Sequence, residues 1–256
     1  MKRTSDSTRA AKKPPASATA SKPPLLVFGA HPDDIEFGCG ALIASEAQAG
    51  RGAHFVVCSR GEAGTNGNPT ERTAEAKAAA AILGATIEFV DLGGDAHFEV
   101  TVARTIALAR IIRRVRPAVV LAPTLVENQH PDHAKLGQMV RDATRLARFG
   151  GLRELRRLPA HAIAQLYYFA ISPDAEPRDI TPVLIDTSEL AVVQRWTDAM
   201  HAHASQMKTR DYVELQLMRG RLLGLRAGVE CAVAIFPSAP LLVQSLTQVE
   251  RGARHF

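Results

Sequence analysis

No uninterrupted apolar run in the 256 residues approaches the roughly 18–20 that a bilayer-spanning helix needs, which excludes a membrane span. Aromatic residues make up only 5%, too few for the stacking platforms on which many nucleic-acid binders rest. The three cysteines, Cys39, Cys58 and Cys231, are odd in number and widely spaced. They make neither a disulfide framework nor a CxxC metal knuckle, and they point to a reducing, cytoplasmic setting. Neither a GxGxxG fingerprint nor a GxxxxGK[ST] phosphate loop is present, so dinucleotide and P-loop chemistry have no foothold. The amino terminus also lacks the apolar stretch of a secretory signal.

The excess of positive charge is local. Residues 1–23 carry six Lys or Arg against the single acid Asp6, which accounts for the whole net charge of +5 and leaves the body neutral. With its Lys, Ser, Thr, Ala and Pro composition, this stretch reads as a disordered basic tail, because it cannot bury enough surface to offset its ordering entropy. Residues 24–256 read as one α/β domain. Apolar runs of strand length at Leu25–Gly29, His54–Cys58, Thr86–Val90 and Ala118–Leu121 alternate with helical patterns over Asp34–Gln48, Thr70–Leu83, Val102–Val115 and Asp132–Phe149. Continuous apolar strands separated by helices predict a Rossmann-like, doubly wound, mostly parallel sheet with helices on both faces. Beyond Gly150 the pattern weakens. Leu166–Ala170 and Val183–Ile185 read as later strands, Glu189–Gln206 as a helix and Val229–Phe236 as a last apolar element.

Ligands of such a sheet bind outside the carboxyl ends of its strands, so the segments that follow the strands carry the chemistry. After the first comes Ala30-His31-Pro32-Asp33-Asp34-Ile35-Glu36-Phe37-Gly38-Cys39-Gly40. His31 and Asp34 lie three residues apart across a turn and can converge on one cation, while Asp33 is free to point into the cleft. The competing reading is that one of the two acids merely caps the following helix. After the fourth strand comes a second triplet, Asn128-Gln129-His130-Pro131-Asp132-His133. Two His-rich loops on one sheet edge are hard to explain structurally. His31, Asp34 and His133 supply two imidazoles and a carboxylate with room for water, the pattern of a catalytic zinc site. Asp132 is expected either to orient a neighbouring imidazole or to cap the helix that begins there.

AHPDDIEFGCG together with HPDH resembles the PIG-L/LmbE-like zinc-dependent N-acetylglucosaminyl deacetylases, a likeness that runs from about Leu25 to Phe236. The resemblance implies metal ligands at His31, Asp34 and His133, a general base at Asp33 and an oxyanion-steadying residue at His130. It also implies substrate contacts at Arg72 and Asp95, a counterpart of the loop Arg60–Thr65, and a late motif, His203-Ala204-Ser205-Gln206. Its cofactor would be Zn2+, with Fe2+ as the alternative. Its substrate would be a small N-acetylated amino-sugar conjugate, and members are often homo-oligomers. The chain departs from the pattern at Gly40-Ala41, at Asn128 and at Cys231-Ala232-Val233-Ala234. On this reading zinc polarises the amide carbonyl and lowers the pKa of water, Asp33 moves the proton, and His130 steadies the oxyanion. The rival expectations are a metallohydrolase for another amide or ester, and a sugar-binding module whose catalysis has decayed.

Overall fold

A computed structural model describes residues 22–127, 130–248 and 252–253; the tail up to residue 21 lies outside them. Seven strands form one sheet: β1 (Leu25–Gly29), β2 (Ala53–Val57), β3 (Ala85–Phe89), β4 (Val119–Pro123), β5 (Gln165–Phe169), β6 (Val183–Asp186) and β7 (Ala232–Pro237). Their order is β3-β2-β1-β4-β5-β7-β6. The first five are parallel to one another, while β7 runs antiparallel to both β5 and β6. The chain reverses direction across the sheet between β1 and β4, the switch point at which such folds bind ligands.

Side chains alternate across each strand, so the sheet has two apolar faces. Leu26, Phe28, Val120 and Ala122 pack with Leu108 and Ile112 of α3 (Val102–Val115) and with Leu136, Met139 and Val140 of α4 (Pro131–Ala147). Val27, Phe55, Val57 and Leu121 face the other way. They pack with Ile35 and Leu42 of α1 (Asp34–Gln48), Ala79 and Ala80 of α2 (Pro69–Ile82), and Val192 and Ala199 of α5 (Leu190–His201). The doubly wound, mostly parallel expectation therefore holds. Within the described residues, no helix is long and apolar enough to cross a membrane.

The glycines of the first motif are there for packing. An added Cβ on Gly38 would come within 2.2 Å of the Phe169 ring, and one on Gly40 within 2.6 Å of Trp196. Two aromatic side chains thus rest directly on the backbone of α1 and draw it close to the sheet.

The carboxyl-terminal third departs from the sequence expectation. The single helix read over Glu189–Gln206 ends at His201, and a 3-10 turn (Ala204–Lys208) follows. Tertiary bonds explain the break: both the Ser205 amide and its hydroxyl donate to the Glu75 carboxylate at 2.7 Å, and Gln206 donates to the Asn66 carbonyl at 2.9 Å. A further helix, α6 (Tyr212–Ala227), was not expected at all, and β7 begins later than the apolar run that predicts it.

Candidate functional site

β1 ends at Gly29, and the chain must turn sharply to enter α1. Asp33 takes that turn in the left-handed region (φ 110°), a conformation that costs a non-glycine residue roughly 1–3 kcal/mol. It occupies the cap position, yet its side chain makes no capping bond. Asp34 turns back instead: its Oδ2 accepts from the Ala30 and His31 amides at 2.8 and 2.9 Å. Helix capping by Asp33 is thereby excluded, and its carboxylate is left for another role.

β4 leads to the second loop. His130 is the cap of α4, its Nδ1 accepting from the Asp132 amide at 3.4 Å. Asn128, one of the expected departures, lies outside the described residues. Asp132 does not cap the helix. Its two oxygens accept instead from the Ala96 and Phe98 amides at 2.7 and 3.4 Å, and Oδ2 lies 3.5 Å from His31 Nε2. It therefore pins the loop after β3 to the start of α4.

The two loops meet. His133 Nε2 is 3.1 Å from Asp34 Oδ1, and His31 Nδ1 is 3.6 Å from Asp34 Oδ2. Asp95 Oδ1 sits between His31 Nε2 at 3.1 Å and His130 Nε2 at 3.2 Å. Ring centroids of His31 lie 4.2 Å from His130 and 5.2 Å from His133. His31, Asp34, Asp95 and His133 are buried. His31 Nε2, Asp95 Oδ1 and His133 Nδ1 are buried without a hydrogen bond of proper alignment.

Such a set fits a divalent cation: the unsatisfied ring nitrogens and carboxylate oxygen are ligand atoms, and imidazole with carboxylate suits zinc or iron. Two groups offer atoms mutually within 4.8 Å among the described residues, His31–His130–His133 and His31–Asp95–His130–Asp132. Asp34 is in neither group; its Oδ2 accepts from two backbone amides, while its Oδ1 faces His133 Nε2 at 3.1 Å.

Electrostatics separates the adjacent acids. Burial pushes Asp33 up to about 6, against the pull of the Arg72 guanidinium. Burial would raise Asp34 as well, but the facing imidazoles of His133 and His31 outweigh it and hold that carboxylate well below its usual range. Asp95 is lowered in the same way, its burial overcome by the facing imidazoles of His130 and His31. One acid is thus poised to exchange protons and its neighbour is held ionised, the division that general acid–base chemistry requires.

Arg72 and Asp95, the two residues expected to touch substrate, are both buried. Arg72 Nη2 donates to the Pro32 carbonyl at 2.8 Å and to Asp33 Oδ2 at 3.3 Å. Gly61 and Gly64 of the loop after β2 press against its guanidinium, where a Cβ would come within 2.1 and 2.8 Å. Asp95 faces two imidazoles rather than open solvent. Two further groups escaped the sequence reading as a pair: His203 is fully buried, with Nε2 3.3 Å from Glu36 Oε2, so the late motif reaches the first one. Val233 lies on β7 opposite Ile185 and packs with apolar neighbours. All three cysteines are free and buried.

Residues 26–144 match the sequence model of the family described as GlcNAc-PI de-N-acetylase, PIG-L, so the resemblance carried by HPDD and HPDH holds. A curated relative, 4-oxalmesaconate hydratase of Pseudomonas putida, is 34% identical over 140 residues, covering 50% of this chain. The chain spans about half of that relative's length, 54%. Among solved structures, the conserved protein TT1542 of Thermus thermophilus has a TM-score of 0.75 and 28% identity, covering 89% of this chain and 99% of that one. N,N'-diacetylchitobiose deacetylase of Pyrococcus horikoshii has a TM-score of 0.73 over 83% of this chain and 82% of that one. At 19% identity, the second is a likeness of fold.

Proposed function

With residues 26–144 carrying the PIG-L match, we propose that the protein is a metal-dependent N-deacetylase acting on an N-acetylglucosamine-type substrate. Water is added across the amide, the C–N bond breaks, and acetate and a free amine leave. The observation that carries the reading is the meeting of His31, Asp34 and His133 at 3.1–3.6 Å, with Asp33 beside them raised to about 6.

His31, Asp34 and His133 would hold the ion, zinc by preference. When bound, it would polarise the acetyl carbonyl and make water acidic enough to deprotonate near pH 7. Asp33 takes the proton from the attacking water and returns it to the amine nitrogen as the C–N bond breaks. Arg72 holds Asp33 in place for both transfers. His130 accepts from the Asp132 amide at Nδ1, which assigns its proton to Nε2 and makes that atom the donor to the developing oxyanion. Asp95, 3.2 Å from the same nitrogen, orients the ring. The three buried free cysteines accord with a reducing, cytoplasmic setting.

A second reading is hydration of an unsaturated carboxylate. It is favoured by the identity to the hydratase over 140 residues. Zinc-loaded protein should release stoichiometric acetate and amine from one of a panel of N-acetylated amino sugars. Silence on that panel, together with loss of double-bond absorbance from unsaturated di- or tricarboxylates, would install the hydratase reading instead.

A further inference from the structure

α6 is apolar on two opposite faces. Its inner face is made of Val213, Gln216, Gly220, Leu223 and Gly224. The glycines let it press on β7, since a Cβ on Gly224 would come within 2.7 Å of the Cys231 amide nitrogen. The bulk lies outside: Leu215, Met218, Leu222 and Leu225 are 38%, 60%, 61% and 68% exposed. A helix apolar all round is normally a buried one, and a contiguous apolar patch on a surface marks an interaction site.

The spacing of the outer four, three, four and three residues apart, is that of a coiled-coil seam, and it reads the same in both directions. An isologous interface demands this property, because each side must match itself after a twofold rotation. With the axis passing beside Gly220, Leu215 meets Leu225 of the second copy and Met218 meets its Leu222. The flanking charges permit the approach. Arg219 is bound by Glu176 at 2.6 Å, and Arg221 by Glu214 at 3.5 Å. In antiparallel helices like flanks face each other, so Glu214 of one copy lies about 7 Å along the axis from Arg221 of the other. Two acids and two bases then share one neutral cluster.

We infer that the outer seam of α6 is covered by α6 of a second copy of this chain, packed antiparallel about a twofold axis. Sedimentation of the full-length protein over a concentration series should give a mass built of twofold pairs. Leu222→Arg should abolish the pairing while leaving the far-ultraviolet spectrum unchanged, and should make the melting temperature independent of protein concentration. Because the native cysteines are buried, an oxidised mixture of Met218→Cys and Leu222→Cys proteins should form the mixed disulfide dimer in preference to either like pair. A monomeric wild type overturns the inference, as does an assembly that tolerates Leu222→Arg. An assembly that instead disappears on deletion of residues 239–256 transfers the role to the exposed Leu241, Leu242 and Leu246. Should Leu222→Arg fail to fold, the disulfide experiment decides, and absence of the mixed product is the overturning result.

Discussion

Arg72 Nη2 stands 3.3 Å from Asp33 Oδ2 and donates to the carbonyl of Pro32 at 2.8 Å, so one guanidinium on α2 fixes both the backbone and the side chain at the entrance of α1. The planar fork matters, because a lysine has no rigid pair of donors to span two acceptors. Arg72→Lys should therefore lower kcat by about 10- to 100-fold, the worth of a charge-assisted hydrogen bond of roughly 1.5–3 kcal/mol. KM and metal content should change little. A raised KM with kcat intact would return Arg72 to direct substrate contact.

The ligand set is open to direct test. Zinc should raise the melting temperature of the metal-free protein, because ligand bound only by the native state stabilises it. His133→Ala and Asp34→Asn should abolish that rise, and His130→Ala should keep it. Loss in His130→Ala with retention in Asp34→Asn would instead assign the ion to His31, His130 and His133.

Asp33→Asn should retain metal, by elemental analysis, and lose about 10²–10⁴-fold in turnover. In the wild type, kcat/KM should climb as pH rises through about 6, since the base acts only when ionised. A flat profile across that range removes Asp33 from the proton transfer.

The same residue should weaken the metal-free fold. An acid raised from 3.8 to about 6 holds its proton in the native state after the unfolded chain has released it. Stability is therefore lost as pH rises from about 4 to 6, by up to about 3 kcal/mol at 1.36 kcal/mol per unit. Metal-free Asp33→Asn should melt above wild type at pH 7–8, with the gap closing toward pH 4. Equal melting curves at pH 8 would show that the carboxylate carries no such strain.

Gly38→Ala tests the packing of α1. Its methyl would meet the buried Phe169 ring at 2.2 Å, and overpacking of this kind costs typically about 1–3 kcal/mol. Denaturant unfolding of the metal-free variant should show that loss. A midpoint equal to wild type would mean that Phe169 moves aside freely.

Much of this was legible in the sequence wherever one physical signal dominated. The central strands β1 and β4 are buried on both sides and read as unbroken apolar runs, so the doubly wound core and the edge carrying both histidine loops followed directly. The proximity of His31, Asp34 and His133 followed from topology alone. α6 stayed hidden because Leu215, Met218, Leu222 and Leu225 answer Val213 and Leu223 from the other face, which erases the one-sided stripe that marks an amphipathic helix. The end of α5 at His201 was set by distant partners, Glu75 and Asn66. For Arg72 and Asp95 the residue type was readable but the direction was not. Only the assembled loops show that each faces inward, toward Asp33 and toward two imidazoles.

Because β7 runs against the common direction of the other strands, its first residue, Ala232, pairs with the last residue of β6, Asp186, and so lies at the rim where the parallel strands finish. The short connection Gly228–Cys231 therefore opens onto the same side of the molecule as the histidine loops, although it is nearly a hundred positions downstream of them. Extra residues spliced in there would build a wall beside the mouth while leaving every ligand and proton carrier in place. That makes this connection a natural place to graft new selectivity onto an unchanged chemical engine.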